Sequence, residues 1–186
     1  MHKIENLYLV SNPSLVEIGV KRGKPGVKVL MYHGASMNNI INEIEELRLI
    51  NAHKFPAKVV KHLLLRRHLA PTHGATIYIP DSNEDPLIIK EVPDIIATGD
   101  LHRPDIDKYN EVLIICSSCW QSITSFEEKV GNIPDPCKVP ILNLKNWEVK
   151  ILDFSELDEE VLETECRETK NNLNGNEIIC KEKKIF

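Results

Sequence analysis

The sequence predicts a mixed α/β domain in which helices cover sheets, on three observations. Short β-branched runs are separated by turn residues, and two stretches between them repeat apolar residues at helical spacing. The composition, 42% hydrophobic and 27% charged over 186 residues, is that of one soluble domain with a real core. We expect a folded domain over residues 1–154 and an acidic, mobile tail over 155–186.

The first third predicts strands followed by a helix. The runs NLYLV and LVEIG favour strands, and the turn residues of KRGKPG predict a hairpin that ends at Tyr32 and His33. Ser36 is a suitable N-cap for a helix after it. The apolar stripe of that helix consists of Met37, Ile40, Ile41, Ile44 and Leu47.

A second helix begins at Pro56, runs to about His68 and is stopped by Pro71. The runs ATIYIP, PLIIK, DIIAT and EVLIIC then predict strands, and KVPILNL and WEVKILDF close the sheet region.

Charge and apolar patterning exclude several classes of protein. From Asp153 onward there are ten acidic and five basic residues, which accounts for the whole net charge of −5 and leaves the body near neutrality. A neutral body argues against a stand-alone nucleic-acid binder, since clustered Lys and Arg supply most non-specific affinity, so a partner is expected.

No apolar run approaches the roughly 20 residues that span a bilayer, and no signal-peptide pattern starts the sequence, so we expect a cytoplasmic protein. The five cysteines are expected as reduced thiols, with Cys116 and Cys119 buried and structural.

Two loops combine a preceding apolar strand with a histidine just past its end. His33 follows VKVLMY, and Asp100 and His102 follow DIIAT. Loops at the carboxyl ends of strands are where α/β proteins gather ligands, and imidazole with carboxylate suits Zn²⁺ or Mn²⁺. Spacing alone leaves open that each histidine is a hydrogen-bonded loop residue.

Several stretches in a fixed order carry a family resemblance over roughly residues 6–154. Read together, VLMYHG, RRHLAPTHG, EVPDIIATGDLHRPDIDKYNEVLIICSSCWQS and GNIPDPCKVPILNL resemble the C-terminal part of the small subunit of archaeal family D DNA polymerase. The resemblance implies a partial calcineurin-like metallophosphoesterase sandwich, with two sheets flanked by helices. It also implies a Mn²⁺-dependent 3′→5′ exonuclease of replication and proofreading that acts on single-stranded 3′ ends.

By the same resemblance, His33 matches a lone histidine ligand, and Gly99 to His102 occupies the place of a Gly-His-x-His motif with Asp100 in place of its first histidine. The motifs Asp-x-His, Gly-Asp-x-x-Asp and Gly-Asn-His-Asp do not precede His33. We therefore expect a truncated form that has little or no nuclease activity alone, because two-metal hydrolysis needs more ligands than these three.

The implied partners are the large catalytic subunit and DNA, and no membrane. Candidate DNA contacts are Arg66, Arg67, Arg103 and Lys108. For Arg66 and Arg67, capping of a helix end explains the charges without any contact with DNA. Two other functions stay open at this point: an inactive scaffold that binds the large subunit, and a phosphoesterase of the same superfamily acting on small substrates.

Overall fold

A computed structural model describes residues 7–80, 82–130, 132–155 and 182–184. Two sheets and four α-helices follow in the order β1 (Ser14–Ile18), β2 (Val27–Tyr32), α1 (Met37–Glu43), α2 (Glu45–Leu49), α3 (Pro56–Arg66), β3 (Ile95–Thr98), β4 (Asp105–Tyr109), β5 (Val112–Cys116), α4 (Ser125–Val130), β6 (Lys138–Asn143), β7 (Glu148–Asp153) and β8 (Glu182–Lys184). A single 3₁₀ turn, Ala52–Lys54, precedes α3.

The first sheet has five strands in the order β1-β2-β3-β5-β4. Its three central strands, β2, β3 and β5, are parallel, and the two edge strands are antiparallel to their neighbours. The parallel register aligns Tyr32 with Thr98 and Thr98 with Cys116, so the three central strands end side by side. The loops after these strands therefore share one edge, which we call the carboxyl edge.

The core forms where the helices pack on this sheet. Ile96 and Ile114 of the central strands are fully buried and belong to one cluster with residues of α1 and α3. In α3 the buried positions recur at helical spacing, and its amino end meets β4, since the Ala57 amide donates to Asp105 Oδ2 at 2.9 Å. The mixed α/β class is confirmed, and the architecture is consistent with a partial metallophosphoesterase-like fold.

The second sheet is smaller and antiparallel, in the order β6-β7-β8. It is tied to the carboxyl edge through backbone bonds, because the Asp135 amide donates to the His102 carbonyl and the Cys137 amide to the Cys119 carbonyl. Within the expected mobile tail only Glu182–Lys184 are described beyond Ser155, as a strand on β7, and residues 156–181 lie outside the described ranges. In the described part of the chain, no helix is both long and apolar enough to cross a membrane.

Several local predictions are wrong. The single helix after Ser36 is two helices, because Ile44 is extended; Leu47 is buried nevertheless. The side chain of Ser36 forms no capping hydrogen bond with α1. Its hydroxyl group donates instead to the Leu69 carbonyl in the core.

Three predicted strands are not formed. Residues 7–10 of NLYLV and 77–80 of ATIYIP are exposed and belong to no strand, while PLIIK makes only an isolated bridge from Ile88 to His68. Strand propensity is realised only where a neighbouring strand and a surface to pack on exist. Residues 7–10 and 77–80 have neither among the described residues, whereas Leu87 and Ile89 of PLIIK pack in the core but their run has no neighbouring strand there. The sequence did not predict strand β4, because its residues, DIDKY, are polar, as suits an edge strand.

Candidate metal centre

The carboxyl edge brings His33 and Asp100 into contact. His33 directly follows β2 and Asp100 follows β3, and their Nε2 and Oδ1 atoms are 3.5 Å apart. The two loops are joined by the Gly99 amide, which donates to the His33 carbonyl at 2.9 Å, and the His33 amide donates to Asn12 Oδ1. His33 is exposed and Asp100 half-buried, so both are open to a ligand.

A glycine makes this approach possible. Gly34 has φ +111°, and a Cβ at this position would lie 3.0 Å from the Gly99 carbonyl oxygen and 3.1 Å from Asp100 Cβ. Glycine adopts such backbone angles without steric cost, whereas a side chain would push the two loops apart.

The loop that carries Asp100 and His102 has an unusual backbone. Both residues have positive φ, 66° and 54°, and Leu101 between them is fully buried. Asp and His are among the non-glycine residues that tolerate this region, and such conformations cluster at functional sites. The buried Leu101 anchors the loop while its two polar neighbours stay near the surface.

Asp100 is also supported by a hydrogen bond from Asn38, which in turn contacts His53. Its Oδ2 atom accepts a bond of 3.4 Å from Asn38 Nδ2 on α1, and Asn38 Oδ1 lies 3.2 Å from His53 Nε2. Burial lowers the pKa of His53, which favours its neutral form. Sequence reasoning missed Asn38 and His53, because no motif joins α1 and the 3₁₀ turn to the Asp100 loop.

His102 is oriented by a buried carboxylate. Its Nδ1 lies 2.6 Å from Glu127 Oε1, and Glu127 is only 4% exposed. Burial raises the pKa of Glu127, but the bonds from His102 and Thr124 outweigh it and hold the pKa below its usual value. In a neutral imidazole, a carboxylate at Nδ1 favours the tautomer with the proton on Nδ1, whose Nε2 lone pair is free to bind a ligand.

Glu127 also caps a helix, because Thr124 and Glu127 form a capping box at the start of α4. The Glu127 amide donates to Thr124 Oγ1, and Glu127 Oε2 accepts from the Thr124 amide at 2.8 Å. The sequence TSFE carried this signal and could have revealed α4.

The predicted DNA contacts are spread over both ends of the sheet. Arg67 donates to the carbonyls of Ile89 and Lys90, and Arg66 ends α3 beside it, at the end of the sheet remote from His33. Lys108 pairs with Glu111 at that same remote end.

Arg103 directly follows His102 and is the one predicted DNA contact on the carboxyl edge. Its Nε atom is buried and has no hydrogen-bond partner among the described residues, and no ion pair of its guanidinium is found there. Contact of Arg66, Arg67 and Lys108 with DNA stays a prediction that concerns a separate surface.

The donors fit a divalent ion in kind but are too few to enclose one. Imidazole nitrogens and a carboxylate suit Zn²⁺ or Mn²⁺, and a carboxylate behind a ligating histidine, as Glu127 is behind His102, is a common feature of metal sites. Among the described residues, however, no group of three or more His, Cys, Asp or Glu side chains is positioned to hold an ion. The pair His33 and Asp100 is formed, and His102 stands in the same loop without completing a closed set.

Comparison with known proteins gives one consistent result. Residues 1–107 match the B-subunit family of DNA polymerases alpha and epsilon. The DNA polymerase II small subunit of Pyrococcus abyssi is 33% identical over 156 residues, which is 83% of this chain and 24% of that protein. The protein of the same name from Archaeoglobus fulgidus is 39% identical over 137 residues, covering 74% and 26%. The chain thus spans about a quarter of the length of the curated relatives it matches.

Proposed function

Because the chain belongs to the B-subunit family of DNA polymerases alpha and epsilon, we propose that it serves in the small subunit of an archaeal family D DNA polymerase. The names of its relatives support this role. Its partners in that role are the large polymerising subunit and DNA, and its place of action is the cytoplasm. The near-neutral body fits a subunit that meets DNA together with a partner.

For the carboxyl edge, we propose a metal-dependent nuclease function in which His33, Asp100 and His102 contribute donors to a two-metal centre, with Mn²⁺ as the ion in the first instance. The observation that carries this proposal is the His33–Asp100 contact beside a histidine whose Nδ1 is fixed by a buried carboxylate. A bound ion of this kind supplies Lewis acidity and lowers the pKa of a coordinated water. The protein's own part is to hold the donors on rigid strand ends and to orient the His102 ring through its contact with Glu127.

Phosphodiester hydrolysis of this type uses two ions about 4 Å apart. Three donors supply only part of such a centre, so its other donors must come from residues other than the described ones. We therefore propose that the residues described here contribute a half-site to a 3′→5′ exonuclease and that this chain alone has little or no nuclease activity.

Arg103 has the chemistry of a phosphate contact in this half-site. Guanidinium groups are strong donors for phosphate oxygens. Arg103 is half-buried next to His102 in sequence, and its Nε atom has no hydrogen-bond partner among the described residues. This supports a role in holding the phosphate next to the cleaved bond.

The test is calorimetric titration of the chain with Mn²⁺. The proposal predicts binding that weakens at least about 10-fold in His33→Ala and in His102→Ala. His73→Ala, which removes an exposed histidine from a different loop, is the matched control and should leave the affinity unchanged. Equal affinity in all four proteins contradicts the metal site.

A scaffold without metal is the second candidate, and one observation favours it. Both carboxylate oxygens of Asp100 already have protein partners, His33 and Asn38, so the cluster is satisfied without an ion. A scaffold predicts no Mn²⁺ binding that depends on His102. It also predicts that the triple variant His33→Ala, Asp100→Asn, His102→Ala binds the large subunit as well as the parent chain does.

A further inference from the structure

An exposed tryptophan stands on the same carboxyl edge as the candidate metal centre. Trp120 is 70% exposed, although tryptophan is usually well buried. It belongs to the loop that follows β5, the third of the central strands that end at this edge. Its ring is supported from one side by Phe154, with ring centroids 5.8 Å apart and planes inclined at 50°.

The loop is fixed in place. The Cys119 carbonyl accepts a bond from the Cys137 amide, and the Cys137 carbonyl accepts one from the Phe154 amide, each at 2.8 Å. Ser118 Oγ donates to the Asp135 carbonyl. An exposed aromatic ring on a rigid loop loses little conformational entropy when it binds a ligand.

The loop also reaches the candidate centre. Gln121 Nε2 lies 3.4 Å from His102 Nδ1, and Gln121 follows Trp120 directly. From the length of a glutamine side chain and the spacing of about 3.8 Å between consecutive Cα atoms, the Trp120 Cα lies within roughly 12 Å of the His102 ring. Arg103 is the next residue after His102 in the same loop, and its Nε atom has no hydrogen-bond partner among the described residues.

These groups match the two chemical parts of a nucleotide. Single-stranded nucleic acids are held by aromatic rings on which bases stack and by cations that contact the backbone. We propose that Trp120 is a stacking platform for a base of single-stranded DNA whose neighbouring phosphate lies at Arg103. This inference rests on the proposed function and names the residue that receives a base of the substrate at the same edge.

The second tryptophan of the chain provides an internal control. Trp147 lies in the turn between β6 and β7, and the other end of that hairpin, at Lys138 and Asp153, is the one joined to the carboxyl edge. Strands of this length place Trp147 roughly 17 Å from that junction. Trp147 is 45% exposed, so its fluorescence would report DNA that binds away from the carboxyl edge.

The experiment is a fluorescence titration with a ten-residue oligothymidylate in a chelating buffer, where no hydrolysis can occur. Trp147→Phe leaves Trp120 as the single tryptophan, and Trp120→Phe leaves Trp147. We expect saturable quenching of Trp120 and none of Trp147. We also expect an oligomer with abasic sugars to quench neither ring, and Trp120→Ala to weaken binding of the oligothymidylate by about 10-fold, the effect of losing one stacked base.

Three results would overturn the inference: no quenching of Trp120, equal quenching by the abasic oligomer, or quenching by the large subunit but not by DNA. Its failure is separable from failure of the metal site, because the Mn²⁺ titration does not depend on Trp120. Intact Mn²⁺ binding with no quenching rejects the stacking platform alone. Quenching without Mn²⁺ binding supports the platform and rejects the nuclease site.

Discussion

Glu127 Oε1 lies 2.6 Å from His102 Nδ1, and the same carboxylate closes the capping box of α4. One buried side chain therefore links the start of a helix to the orientation of a candidate metal ligand. The link is local in space but spans 25 residues of sequence.

Replacing Glu127 by Gln should weaken Mn²⁺ binding by about 10- to 100-fold, the usual effect of removing a carboxylate behind a ligating histidine. The amide still offers an oxygen to the Thr124 amide, so α4 should keep its cap. Calorimetric titration measures the affinity, and thermal unfolding checks the fold. Glu128→Gln, an exposed neighbour with the same charge change, is the control. If both variants lose the same Mn²⁺ affinity, the loss comes from the change in net charge and not from the contact between Glu127 and His102.

Replacing Gly34 by Ala should destabilise the fold by about 1–3 kcal/mol and impair Mn²⁺ binding. Its Cβ would meet the Gly99 carbonyl oxygen at 3.0 Å and separate the loops that carry His33 and Asp100. Gly23→Ala is matched in having a positive φ, 77°, but has nothing within 4 Å of the added carbon. Chemical denaturation should show the larger loss for Gly34→Ala, and Gly23→Ala should retain full metal affinity.

Asp105 should make stability depend on pH. Burial raises its pKa in the folded state, while the Ala57 amide partly opposes this. When the pKa of a carboxyl group is higher in the folded state than in the unfolded state, the fold is most stable at low pH, where the group is protonated. The free energy of unfolding then falls as pH rises through the folded-state pKa. Asp105→Asn keeps an acceptor for the Ala57 amide and should therefore unfold at a higher denaturant concentration than the parent at pH 7.

The advantage of Asp105→Asn should vanish below about pH 4, the ordinary range of an aspartate. Asp107→Asn, on the same strand but exposed, should show no such change. If Asp105→Asn is the less stable protein at pH 7, the charge of Asp105 helps the fold and burial is not the dominant effect.

Cys116 should be chemically inert in the folded chain. Burial raises the pKa of its thiol to about 12, and thiolate is the reactive form. Cys119, which the sequence also predicted to be buried, is only half-buried. At pH 8, an alkylating reagent should modify Cys119 in the native protein and reach Cys116 only after unfolding, as peptide mass spectrometry can show. Modification of both at equal rates would indicate that the end of β5 opens readily.

The sequence predicted the central part of this fold well, because its signals there were strong and mutually consistent. Val27–Tyr32, Ile95–Thr98 and Val112–Cys116 form the parallel centre of the sheet, where apolar runs are buried, and α3 begins at the predicted proline. The runs at residues 7–10 and 77–80 also favour strands by composition, but they have no partner strand in the part of the chain that the structure describes, which propensity cannot detect.

The candidate site was predictable only in part. The strand ends indicated His33, Asp100 and His102, whereas their supports, Asn38 and Glu127, come from elements whose position depends on tertiary packing. The same limit applies to the arginines. Charge alone cannot distinguish Arg67, which holds backbone carbonyls, from Arg103, which has no protein partner among the described residues.

The most direct test of the account is to locate the metal itself. Crystals of the chain grown with Mn²⁺ should give anomalous difference density within coordination distance of donor atoms of His33, Asp100 and His102, with Glu127 still bonded to His102 Nδ1. A peak in that position establishes the half-site. If well-ordered crystals that contain Mn²⁺ show no anomalous density at these three side chains, the carboxyl edge is a hydrogen-bonded scaffold and the nuclease proposal is wrong.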